Sequence, residues 1–403
     1  MLKPSRNHLI AAAAACASMG ALALLCAGNA SADHDSALPI HIVVGTPAGA
    51  QPMARVDPAR SGCTAQLPDR PREVWNRGLR GGIEQLPAVD DKGNVILATG
   101  SGEMVQLGPD GTEQWRTRTG VGSAGTAPVI LSDGTRFVIT AAGEAWGVTA
   151  QGTRKFRVDL TSVGREIRVA PLPRDDGSVV IAAWSRMLVL SADGTIRDQV
   201  DTKETLVGAL LGARDGIVAT SESGSVWMWS PPLAPRKIGT LQGTARAGAA
   251  LADTLTLAAV VDNRRLTTMD LRTGALTTRE TVSGLEGPPA AGPGQVVYAA
   301  SMSGLLIGMG PAAETLRVAL SPQTTLEDGG VVVTSQSSPP VLCDRAGRVA
   351  FVRGDGRVGV VSADGRVSAI SSLACYDPMG VVPAGGSKFL VACRGGTLRA
   401  YGP

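Results

Sequence analysis

The sequence predicts an all-β protein: an eight-bladed β-propeller of four-stranded antiparallel blades, its last blade closed by an N-terminal strand. Three observations carry this. Short Val, Ile, Leu and Thr runs bounded by Gly or Asp-Gly recur from about residue 71 to the end, with no long helical period. The residue that opens an apolar strand returns at Gly102, Gly143, Arg186, Gly224, Arg264, Gly304, Gly356 and Gly396, in steps of 41, 43, 38, 40, 40, 52 and 40 residues, the length of one four-stranded blade. The eighth copy stops at "TLRAYGP", without a fourth strand of its own, while "REVWNRGL", residues 72–79, stands alone ahead of the first copy.

Residues 1–32 read as an export signal. Lys3 and Arg6 precede an almost wholly apolar stretch from Leu9 to Gly28, and Ala30 and Ala32 occupy the small-residue positions of a cleavage site. A lipid anchor on Cys26 is disfavoured by Leu25 just before it, and a retained membrane span by the small-residue exit. The expected localisation is therefore exported, periplasmic or extracellular. Residues 33–70, rich in Pro, Ala and Gly and without apolar period, read as a linker leading into a propeller at 71–403.

The first full blade divides cleanly. A strand a ends at Asp91-Lys92-Gly93, strand b is "NVILATG", Ser101-Gly102 turns into strand c, and Asp110-Gly111 turns into strand d, "TEQWRTRT". Asp-Gly suits such hairpins because both residues tolerate positive φ. The dipeptide recurs at Asp133, Asp176, Asp193, Asp215, Asp355 and Asp364, each where a turn is due. The Ala-rich run at 245–261 would pass for helix in isolation, but its place in the repeat assigns it to strand. In the closing fragment Glu73 and Trp75 match Glu113 and Trp115, which makes it the missing strand of blade 8; joining it removes an otherwise open sheet edge.

The 52-residue step marks an insertion at 321–340 between blades 6 and 7, on the face of the d–a connections, where a binding loop is expected. Past the signal, four cysteines remain. Of these, Cys375 and Cys393 fall at one end of blade 8 and are expected to form a disulfide, with Cys63 and Cys343 unpaired.

Charge and composition exclude several functions. Of the 38 Lys and Arg, Lys3 and Arg6 lie in the signal, leaving 36 against 35 Asp and Glu; with aromatics at 3% there is neither a basic footprint nor stacking surface for nucleic acid. All three histidines, His8, His34 and His41, precede the propeller, which removes imidazole as base, metal ligand or triad member. The carboxylate pairs Asp90-Asp91 and Asp175-Asp176 sit beside turn glycines and read as solvated hairpin residues. Trp75 and Trp115 read as packing between blades, and Trp227 and Trp229 as core.

The repeats resemble the quinoprotein-like (PQQ-like) β-propellers, whose repeat favours Asp-x-x-Thr-Gly followed by Trp. Asp270, Thr273 and Gly274 match it, with Thr278 at the Trp position; Gly111 with Trp115, and Gly152 with Phe156, keep the Gly-to-aromatic spacing. The resemblance implies one of two classes: quinone-dependent dehydrogenases with calcium on the axis, or a non-catalytic propeller similar to that of the outer-membrane β-barrel assembly machinery. Paired adjacent cysteines and repeated Trp motifs expected of the former are missing. The expectation is a monomeric, non-catalytic scaffold without cofactor or metal, binding a protein or envelope component by the 321–340 loop face.

Overall fold

A computed structural model describes residues 55–403 apart from 65, 121, 165–166, 282–283, 286, 321–323, 326–330, 333–338, 370–374 and 376. The export signal, the first part of the linker and most of the 321–340 insertion thus lie outside the described residues.

Eight antiparallel sheets follow one another along the chain, at 88–118, 129–159, 172–201, 206–240, 249–280, 290–319, 342–369 and 378–402, numbered here as blades 1 to 8. Each runs a-b-c-d across the sheet. The a strands of consecutive blades lie against one another and so surround the axis. Strands b and c are buried on both faces, as in Val95–Ala98 and Val179–Ala183, because each blade packs on two neighbours. The d strands, such as Glu113–Arg118, carry mostly polar residues at the rim.

Blade 8 is completed from the front of the chain, as the repeat count requires. Arg72–Gly78 pairs antiparallel with Thr397–Gly402, placing Trp75 opposite Ala400 and Glu73 within 2.5 Å of Arg399. Val382, Leu390 and Ala400 of this blade share a core with Val89, Leu97 and Val105 of blade 1, which closes the ring.

Trp75 and Trp115 lie between blades. The indole of Trp75 covers Gly111 of blade 1 and donates Nε1–H to the carbonyl of Pro109 at 2.9 Å. Trp115 repeats the arrangement on Gly152 and Ala150 of blade 2. Gly111 has φ +81°, and a Cβ there would come within 2.8 Å of the Trp75 ring, so glycine is required on both grounds. Trp229 is fully buried, and Trp227 packs half-buried on the same core.

Two sequence expectations are corrected. Cys63 and Cys343 are not free but bonded to each other, across 280 residues of sequence, alongside the expected Cys375–Cys393 bridge. The reason is that the end of the expected linker is built into the propeller. Cys63–Thr64 adds a fifth, parallel strand to blade 7 beside Leu342–Asp344, and this brings the two Cα atoms to 4.3 Å.

Candidate functional site

Two places in the fold bear on function: the axis and the loop face. At the axis, residues 55–64 circle inside the ring. The carbonyls of Pro58, Ala59, Ser61 and Gly62 accept backbone N–H groups from Gly212, Leu251, Ala291 and Cys343, one each from the innermost strands of blades 4, 5, 6 and 7. Those inner edges would otherwise present unpaired N–H groups to the channel.

Side chains fix the turn of this segment. Arg60, 1% exposed, reaches the carbonyls of Pro171 at 2.5 Å and Leu210 at 3.4 Å. Arg55 donates to the carbonyls of Val341, at 3.1 Å, and Pro289. Burial draws both guanidinium groups down to about 10, opposed by the charge of Asp57, so both stay cationic at neutral pH. Asp57, pushed up by burial, accepts from the Ser61 amide at 2.9 Å and hydroxyl at 2.6 Å. Val56 and Leu67 join the core of blades 7 and 8.

On the face formed by the b–c turns and d–a connections, a depression of about 670 Å³ opens at blades 3 and 4. Arg168 and Val169, entering blade 3, line one side, and Thr205 to Gly208, entering blade 4, another. Glu222 and Arg246 complete it, paired at 2.9 Å. Trp184, at the tip of the blade 3 b–c turn, stands in its wall 54% exposed.

The backbone of Trp184 has φ 55°, in the left-handed region that a bulky residue rarely enters. Equivalent tips elsewhere carry Gly100, Ala141, Glu222, Asp262, Met302, Gly354 and Arg394. An aromatic held out to solvent at a conformational cost of about 1–3 kcal/mol is the kind of outlier from which function is inferred. Close by, Glu204 loses some solvation but accepts from the hydroxyls of Ser223 at 2.5 Å and Ser221 at 2.7 Å, with Lys237 at 3.4 Å, and is drawn down to about 2.

The carboxylate pairs do not converge on a cleft. Asp175 and Asp176 are exposed turn residues, as expected. Asp90 departs from that reading: it is buried, receives the amides of Lys92 and Asn94, and pairs with Arg136 at 2.8 Å between blades 1 and 2. Among the described residues no three His, Cys, Asp or Glu side chains cluster as a metal set, and no helix is long and apolar enough to cross a membrane. Sequence reasoning missed both Trp184 and the axial segment. The absence of glycine from the blade 3 b–c turn, a feature shared with the Asp262-Asn263-Arg264 turn of blade 5, was the available signal for the former.

No curated protein matches the chain. Among solved structures, BamB from Moraxella catarrhalis superposes with a TM-score of 0.63 at 15% identity, over 83% of this chain and 98% of that one. The computationally designed Ika8 protein does so with a TM-score of 0.61 at 15% identity, over 82% and 100%. At these identities the likeness is one of fold. A model of PQQ-like repeats, described as outer membrane protein assembly factor BamB, matches residues 65–308. The chain therefore belongs to the BamB-like family of PQQ-like β-propellers.

Proposed function

We propose that this protein is an exported, monomeric and non-catalytic propeller of the cell envelope, which binds a protein partner through the loop face centred on Trp184. The observation that carries the reading is the exposed, strained Trp184 beside a depression of about 670 Å³. Tryptophan and arginine are the residues most enriched at the energetic centre of interfaces, and Arg168 and Arg246 flank it.

Support for a non-catalytic role comes from the axis. A quinone with calcium requires space and several free carboxylates there, whereas Arg55 to Cys63 occupy the inside of blades 4 to 7 with backbone, two arginines and a single carboxylate, Asp57, already held by Ser61. The residues present do not fit that cofactor. Two disulfides fit an oxidising compartment, periplasmic or extracellular.

The test is photocrosslinking in envelope extracts from a probe at Trp184, with a probe at Leu233, on a c–d turn, as control. Specific capture from the first position is expected, suppressed at least about tenfold by excess wild-type protein but not by excess Trp184→Ala protein of unchanged melting temperature. Equal capture from both positions, or dye reduction with an alcohol or sugar after loading pyrroloquinoline quinone and calcium, overturns the reading.

A further inference from the structure

A second, independent site lies between blades 5 and 6. At three junctions the ring fills the same slot with an aromatic side chain from strand d: Trp75 and Trp115 as described, and Phe156 against Gly194. Trp115 is paired opposite Gln106 in strand c, and the residue in that register in blade 5 is Thr277, opposite Thr268. Thr278, the position expected from spacing to Gly274, is displaced by one because strand d of blade 5 lacks the bulge that follows Gln106 in blade 1.

With threonine in place of the ring, a pocket of about 140 Å³ opens at this junction. Its floor is apolar, formed by Leu266, Val297 and Met309, each at most 7% exposed. The carbonyl of Pro311 stands where the carbonyl of Pro109 receives the Trp75 indole. Arg279, two residues beyond Thr277, reaches across and donates to that carbonyl at 2.7 Å, leaving its second lone pair available.

We propose that this pocket is a binding site for one aromatic ring bearing an N–H or O–H donor, of which indole is the simplest example. The volume is close to the roughly 150 Å³ that admits benzene in an engineered apolar cavity. The Pro311 carbonyl supplies the acceptor that the chain's own indoles use at equivalent turns, and the Arg279 guanidinium supplies a cation beside it for the face of a bound ring. The same chemistry arises from a free small aromatic compound or from a tryptophan side chain of a partner.

The full mature protein is titrated with indole and, separately, with a Gly-Trp-Gly peptide, followed by saturation-transfer NMR and calorimetry. Saturable binding of indole is expected, weakened at least about tenfold by Thr277→Trp, which returns the missing ring to the slot. Thr268→Leu narrows the same space from strand c and carries the test should Thr277→Trp not fold. Peptide binding equal to that of indole assigns the slot to a partner's side chain, and binding of indole alone assigns it to a free aromatic. Absence of saturable binding up to the solubility of indole, or unchanged binding in the folded variants, overturns the proposal.

Discussion

Trp75 lies across Gly111 and bonds to the carbonyl of Pro109, so the strand that completes blade 8 also clamps it to blade 1. One side chain thus serves both closure and packing. Trp75→Ala is expected to cost about 2–3 kcal/mol, less than for a fully buried ring because Trp75 is half-exposed. Gly111→Ala is expected to cost about 1–3 kcal/mol from its positive φ and the clash with the ring. The double variant should cost less than the sum, since removing the ring makes room for the methyl. Urea unfolding of the four proteins checks this, and strict additivity would show that the two residues are not coupled.

The axial segment is fastened by Cys63–Cys343, which closes a loop of most of the chain. Replacing both cysteines by serine is expected to destabilise by about 2–5 kcal/mol. Peptide mapping without reduction should give Cys63 with Cys343 and Cys375 with Cys393; any crossed pair contradicts the arrangement.

Asp90 and Arg136 form a buried ion pair, with Asn94 and Gln106 bonded to its members. Burial draws the Arg136 guanidinium downward against the opposing pull of Asp90 and Asp91. Removing either partner alone, as in Asp90→Ala or Arg136→Ala, is expected to cost about 3–5 kcal/mol, because a buried charge is left unpaired. The paired replacement Asp90→Asn with Arg136→Met should cost less than either. Thermal unfolding at neutral pH distinguishes these outcomes.

Acid sensitivity follows from Glu204. Its folded-state value is lowered to about 2 by its serine hydroxyls and Lys237, against an unfolded value of about 4.3. A depressed carboxylate contributes its stability fully above the unfolded value and loses it as pH falls towards the folded one. The melting temperature of the native protein should therefore decline between about pH 4.5 and 2, and Glu204→Gln should flatten part of that decline while lowering the plateau above pH 5. An unchanged acid limb in Glu204→Gln would contradict the assignment.

Most of the propeller was legible because its signals are side-chain signals. Turn dipeptides such as Asp110-Gly111 and Asp364-Gly365 mark hairpins, and Trp75 declares its kinship with Trp115 even though it stands before the repeats. The axial segment was not legible, because Pro58, Ala59, Ser61 and Gly62 act through backbone carbonyls and need no apolar period to do so. The same holds for Cys63, whose partner is chosen by where that backbone path ends. Trp184 was hidden for a different reason: exposure at a hairpin tip is set by turn length, which the spacing of repeats fixes only approximately.

Repeat proteins of this kind change size by gaining or losing whole units, since each blade meets only its neighbours. Here residues 58–62 act as a gauge of that size. Their four carbonyls are spaced to meet four successive inner strands, from Gly212 to Cys343, and the segment then ends in a covalent bond to the last of them. Inserting or deleting a blade between blade 4 and blade 7 would move the later strands out of step with this gauge while Cys63 still needed to reach Cys343. The succession of blades 4 to 7 is therefore recorded twice in this chain, once in the repeats and once in a five-residue stretch that belongs to none of them.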